Sequence, residues 1–472
     1  MSLLLALPAD APFAIGHVSG AWSGPSGVAT AEVYYPATTA GEGTPVAAVP
    51  GGHPLVVFGH GFVMPASAYG YLRDGLVPEG FVVAMLTTGG ELFPDHGDFA
   101  QDFLTVAEGL AADGADPASL FFEALSGRAA AAGHSMGGGA SLLAAAQGDT
   151  FTAVCNLAAA ETNPSAQAAA ASVTQPLLML SGGDDCVTPP SQQQAMWSAA
   201  ASSCKSWITL LGGSHCQFAS ATSACEFGEL FCSTSLGGAE QRALVLDLLV
   251  PWLRAVLAVE PAAWSEFVAV SQTNPGLATS AVCTTDLAVE AVTGLDAALA
   301  GGLTVAGAGL GFVVEATVDG AAVAFEPLGQ GALELTVGAS APGAFDLGLV
   351  DLFGSLDAAG AARRYPALLA GPAPLGGTLT LSFDAGLAGP FVVAWSLDPG
   401  PPIAIPGYAH VLQLGSPLVV LASGATDAAG TGAVALPLPT DPALQGLTVR
   451  LQAVANAASG PSFTNLVDVT FE

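Results

Sequence analysis

A serine in Gly133-His134-Ser135-Met136-Gly137, an aspartate in Gly183-Asp184-Asp185-Cys186 and a histidine in Gly213-Ser214-His215-Cys216 are the residues whose types and order point to nucleophilic chemistry. A serine hydroxyl is a weak nucleophile at neutral pH, so it needs a base within reach, and the base needs a third group to fix its tautomer. His215 is the candidate base and Asp185 the candidate orienting acid. Asp184 is the alternative acid, and Glu161 is a third, because such an acid can also come from the preceding strand. The implied reaction is acyl transfer: Ser135 attacks an ester carbonyl, and water activated by His215 then hydrolyses the acyl-enzyme. It calls for no cofactor and no metal. Asp95, His96, Asp98 and Asp102 crowd together, but their spacing fits no standard metal site and reads as a solvated helix start. His60 and His134 read as structural.

The elements that must position these residues are legible as apolar runs. Pro176 to Leu180 and Trp207 to Leu211 read as buried strands running into the aspartate and histidine loops, and an Ala/Gly-rich helix follows the serine. The G-x-S-x-G frame suits a strained strand-to-helix turn that only glycines let close so tightly. Upstream, Pro54 to Phe58 reads as a central strand leading into Gly59-His60-Gly61-Phe62. The backbone N–H of Met136, after the nucleophile, and that of Phe62 are the candidate oxyanion-hole donors.

With FGHGF at 58 to 62, GHSMGGG at 133 to 139, DDCVTPP at 184 to 190 and GGSHC at 212 to 216, the first 260 residues or so resemble cutinase-like and PET-hydrolase-like serine esterases of the α/β-hydrolase superfamily. The resemblance implies a parallel sheet with helices on both faces, the order Ser135, Asp185, His215, and an ester-binding cleft lined by Phe62 and Met136. Val187 is the third lining residue. A loop ending in proline favours Asp185 over Asp184. The chain departs from that pattern after the strand Ala153 to Leu157. It reads Ala158-Ala159-Ala160-Glu161-Thr162 where polyester hydrolases often place a tryptophan that stacks an aromatic acid unit.

Composition bounds the partners. The net charge is −31, yet only 10% of residues are charged, so bases are missing rather than acids added. Such a surface repels nucleic acid and anionic membranes and suits neutral esters. Seven cysteines lie at 155, 186, 204, 216, 225, 232 and 283, at spacings that do not match a zinc site. Cys186 adjoins Asp185 and Cys216 adjoins His215, so a bridge at either would hold a catalytic loop. Bridges imply an oxidising compartment, and an odd count leaves one thiol over, for which Cys155 is the choice. The amino-terminal Met1 to Pro8 is not a complete signal peptide, but the cysteines argue for secretion. Ala297 to Val314 is apolar, but its five glycines at 301, 302, 307, 309 and 311 favour a pair of buried strands over a membrane span.

At 472 residues two domains are expected. Residues 1–260 would form the catalytic domain, ending in a helix from about 239 to 257 that Pro251 kinks; 261–284 a linker; and 285–472 an all-β, sandwich-like domain with His410 its only histidine. Within that domain only 357 to 370 reads as helix. The stretch from Gly430 to Glu472 is similar to carboxy-terminal β modules of secreted bacterial proteins, and the domain would bind an insoluble substrate, stabilise the enzyme or attach it to a surface. Ala219 to Leu236, with Cys225, Phe227, Phe231 and Cys232, reads equally as a pinned flap or an ordinary loop. The functional expectation is a secreted ester hydrolase on polyester or cutin-like polymers. The alternatives are a lipase or chlorophyllase-like esterase on small lipophilic esters and, in a different class, an inactive surface adhesion protein.

Overall fold

The structure, a computed structural model, describes residues 12–472 except 221–222, 231, 285–286, 294–300, 329–330, 339–342, 365–366, 386–387, 407, 409–410 and 458–459. Met1 to Pro8, Phe231, His410 and the start of the apolar 297–314 stretch lie outside the described residues. The chain divides into two units, one running to Asp286 and taking in Leu352–Gly354, the other holding 287–351 and 355–472.

The first unit is built on a ten-stranded sheet. Its strands are β1 (Ala14–Gly24), β2 (Gly27–Ala37), β3 (Gly41–Glu42), β4 (His53–Gly59), β5 (Val82–Leu86), β6 (Leu125–His134), β7 (Ala153–Leu157), β8 (Leu177–Gly182), β9 (Cys204–Leu210) and β10 (Leu277–Cys283), in the order β10-β9-β8-β7-β6-β4-β5-β2-β1-β3. From β4 to β9 all neighbours are parallel. Every residue of β4, β5, β7 and β8 is buried, as short uninterrupted apolar runs must be when both faces of a sheet are covered. Parallel neighbours need crossovers, supplied by α1 (Gly70–Leu76), α2 (His96–Ala115), α3 (Met136–Ala145), α4 (Ala166–Ala170) and α5 (Pro190–Ala199). After β9 come α6 (Ser223–Gly228), α7 (Gly238–Ala258) and α8 (Pro261–Thr273). All ten residues of α3 are buried, which its Gly/Ala composition permits by letting backbones approach closely. Parallel strands discharge their loops at one edge, so residues 60–65, 87–95, 135, 158–165, 183–189, 211–220, 223–230 and 232–236 emerge together there.

Two expectations are corrected. Residues 261–284 are not a linker but α8 and β10, the latter antiparallel to β9 with Cys283 opposite Cys204, to which it is disulfide-bonded. The described residues of 357 to 370 are not helical: Ser355–Arg364 and Ala367–Ala370 are strands, the first paired with Gly343–Asp351. An Ala-rich run has high helix propensity, but cross-strand pairing overrides it here.

The second unit is otherwise all β, and its alternating strands bury one face. Leu333, Leu335 and Val337 point into one apolar cluster with Leu303, Val305, Leu347 and Leu349, while Leu379, Leu381, Phe383, Phe391, Val393 and Leu451 form another. It thus carries two successive cores rather than one. Gly301–Ala308 is a strand, as its glycines indicated, and no helix among the described residues is long and apolar enough to cross a membrane.

Candidate active site

Ser135 is the turn between β6 and α3, with φ 53° and ψ −116°. L residues avoid that region, so the turn persists only because its surroundings hold it. Close packing does this. A Cβ at Gly133 would strike the backbone of Gly137, and one at Gly137 would strike the carbonyls of Gly59 and His60. The Ser135 N–H donates to the Leu157 carbonyl at 3.0 Å, and the Ser135 carbonyl accepts from Ala160 at 2.8 Å.

His215 Nε2 lies 2.9 Å from Ser135 Oγ, and its Nδ1 lies 2.8 Å from Asp185 Oδ2. The three residues are 9%, 3% and 4% exposed for Ser135, His215 and Asp185. An Nδ1–H donated to the carboxylate leaves Nε2 bare and facing the hydroxyl, the tautomer a base requires. Asp184 and Glu161 stand outside this chain of bonds: the Asp184 N–H donates to Gly213, and the Glu161 carboxylate accepts from the Gln167 N–H at 3.0 Å.

A buried carboxylate needs partners for every lone pair. Asp185 Oδ1 accepts the N–H groups of Val187 and Thr188 at 2.9 and 2.8 Å, and Oδ2 accepts the Thr188 hydroxyl at 2.9 Å. Thr188 Oγ1 is also 3.0 Å from His215 Nδ1, and the Gln193 amide donates to the Thr188 carbonyl at 2.8 Å. Behind it, Trp207 Nε1–H donates to Ser181 Oγ, whose hydroxyl donates to Gln193 Oε1 at 2.7 Å. Thr188 and Gln193 escaped the sequence reading. A threonine three residues after the acid was the available signal for the first; nothing local marks the second.

The histidine loop is held as tightly. Gln241 of α7 accepts the Ser214 N–H at 2.9 Å and donates to the Ser214 carbonyl at 2.8 Å. The Gly61 N–H donates to Tyr69 Oη at 3.0 Å, the Tyr69 hydroxyl donates to His134 Nδ1 at 2.8 Å, and His134 Nε2–H donates to the His215 carbonyl at 3.2 Å. His134 and His60 are thus structural, His60 lying between the Gly61 and Thr88 carbonyls. Disulfides join Cys186 to Cys232 and Cys216 to Cys225, while Cys155 is free and buried. Both tethers end on the segment after the histidine, which is therefore pinned. Burial pushes the Cys155 thiol up to about 12, leaving it unreactive.

Complete burial, and to a lesser degree the neighbouring His215, hold the His134 pKa well below its ordinary 6.5. Its stability contribution has a definite sign. The unfolded chain takes up a proton as pH falls through about 6.5 and the folded one does not, so stability is full above that pH and declines below it. The urea midpoint should fall between pH 7 and pH 5.5, and less steeply in His134→Gln. An equal slope in the two proteins would exclude this origin.

Phe62 and Val187 are 51% and 42% exposed, whereas Met136 is 3% exposed and sits in the apolar core. Among the described residues, neither the Phe62 nor the Met136 N–H has a hydrogen-bond partner. The acidic cluster has ordinary uses: Asp95 caps α2 by accepting from Gly97 and Asp98, Asp102 accepts from Ser26 Oγ at 2.7 Å, and His96 Nδ1 accepts the Asn163 N–H.

Residues 6–233 match the model of the family described as PET hydrolase-like. Over this span the chain is similar to that family. The matched span holds Phe62, Ser135, Met136, Asp185, Val187 and His215, and it ends just after Cys232. Gln241, α8 and β10 lie beyond the PET hydrolase-like span, as does the whole second unit. No curated protein matches the chain.

Proposed function

We propose that this protein is a secreted carboxylic-ester hydrolase acting through an acyl-enzyme on Ser135, with polyester or cutin-like polymers as substrates. The observation that carries the reading is the unbroken chain of bonds from Ser135 Oγ through His215 to Asp185. His215 takes the hydroxyl proton as Ser135 attacks, Asp185 stabilises the resulting imidazolium, and the N–H groups of Phe62 and Met136 receive the oxyanion. His215 then returns the proton to the leaving alcohol and activates the water that frees the acid. The PET hydrolase-like match supports ester as the substrate class, and three disulfides support an oxidising compartment.

The polymer reading rests on what surrounds the loops. Leu92, Phe93 and Leu230 are 67%, 93% and 64% exposed, and with Phe62 and Val187 they stand on loops at the edge that carries Ser135. Large apolar side chains left this open mark a contact surface. Ala158 and Ala159 are buried where an aromatic would stack a ring, so aliphatic acid units suit the cleft better than aromatic ones.

A fluorophosphonate should label Ser135 in the folded protein; a folded protein left unlabelled would favour the inactive adhesion reading. The double substitution Leu92→Ser, Phe93→Ser should cut monomer release from an aliphatic polyester film about tenfold while leaving p-nitrophenyl butyrate turnover unchanged. Equal losses on the two substrates would point instead to an esterase of small lipophilic esters.

A further inference from the structure

We infer that Glu229 is the positioning residue that sets the place of the His215 imidazole, acting from a strap that two disulfides close onto the acid and base loops. The inference rests on the hydrolytic reading above. Glu229 Oε1 accepts the Cys216 N–H at 3.0 Å, and Oε2 accepts the Ser214 hydroxyl at 3.2 Å. One carboxylate therefore grips the residues on either side of His215. Its own place is fixed from both directions along the chain: Cys225, four residues before it, is bonded to Cys216, and Cys232, three residues after it, is bonded to Cys186 beside Asp185. Hydrogen bonds to an ionised acceptor are roughly twice as strong as neutral ones, and this carboxylate forms no ion pair among the described residues that would draw it away.

The other holds on this loop act elsewhere. Gln241 secures the Ser214 backbone and His134 the His215 carbonyl, but the Cys216 N–H, where the chain leaves the histidine, depends on Glu229. Removing the carboxylate leaves the fold tied by its disulfides and frees the imidazole to shift by a fraction of its bond to Ser135. A misplacement of about 1 Å costs on the order of 10²-fold in rate.

The test compares full-length Glu229→Ala, Glu229→Asp and Glu229→Gln with the parent protein. It reads kcat and KM on p-nitrophenyl butyrate, the fluorophosphonate labelling rate, and the low-field proton resonance of His215 Nδ1–H. Glu229→Ala should lose ten- to a hundredfold in kcat and labelling, keep KM within about twofold, and broaden the low-field proton. Glu229→Gln should restore most of the activity, since its amide oxygen still accepts from Cys216 and its NH₂ donates to Ser214. Glu229→Asp, which keeps the charge but is too short to span both partners, should behave like alanine. Parental turnover and an unchanged low-field proton in Glu229→Ala would overturn the proposal, as would a glutamine variant no better than alanine. If Glu229→Ala does not fold, Glu229→Asp decides alone, and parental values there overturn it. A parent protein that neither labels nor turns over would indict the hydrolytic reading instead, leaving the low-field proton to judge Glu229 separately.

Discussion

Replacing Ser135 by alanine should lower kcat on p-nitrophenyl butyrate by on the order of 10⁶-fold and abolish fluorophosphonate labelling, with KM nearly unchanged. On the proposed mechanism the loss is that large because Ser135, His215 and Asp185 would act as one unit. Without the hydroxyl the proposed acyl-enzyme could not form, and the N–H groups of Phe62 and Met136, the proposed oxyanion donors, would be left to favour attack by water. The substitution removes a single oxygen from the turn, so the urea midpoint should stay close to that of the parent protein. Adding His215→Ala to the variant should cost little more, since the base has nothing left to deprotonate. A Ser135→Ala protein retaining a tenth of its activity would place the chemistry elsewhere.

Asp185→Asn should cost on the order of 10⁴-fold in kcat near neutral pH. The geometry dictates the mechanism of that loss. Oδ1 receives two backbone N–H groups, from Val187 and Thr188, so the amide oxygen must take that position and the NH₂ must face His215. A donor there forces Nδ1 to accept, which moves the imidazole proton to Nε2, and a protonated Nε2 cannot take the proton of Ser135. The low-field resonance of the His215–Asp185 bond should vanish while the Ser135 backbone stays in place. Retention of that resonance with full activity would show that another carboxylate fills the role.

The placement of the proposed triad was legible because each of its residues follows a strand with apolar residues at its buried positions, and such strands announce themselves by composition. β4, β8 and β9 deliver Phe62, Asp185 and His215 in the order their apolar runs imply, and the glycines at 133 and 137 mark the turn that only they allow. What stayed hidden was long-range. Gln241, Tyr69 and Glu229 are ordinary polar residues in sequence, and their hold on the histidine loop exists only once distant elements meet. β10 was missed for a different reason. As an edge strand it shows no apolar alternation, and its place is set by backbone pairing with β9 and the Cys204–Cys283 bridge. The strand at Ser355–Arg364 was misjudged because alanine and arginine favour helix in isolation, and only its partner Gly343–Asp351 decides otherwise.

The relay from the Gly61 N–H through Tyr69 and His134 to the His215 carbonyl joins the loop that bears Phe62 to the loop that bears the imidazole. The proposed acyl pocket and proton acceptor are therefore not independent modules. Any attempt to widen the proposed pocket by rebuilding residues 60 to 65 should drag on the histidine unless Tyr69 keeps its bonds to Gly61 and His134. Libraries that hold positions 61, 69 and 134 constant should yield far more active clones than libraries that randomise them.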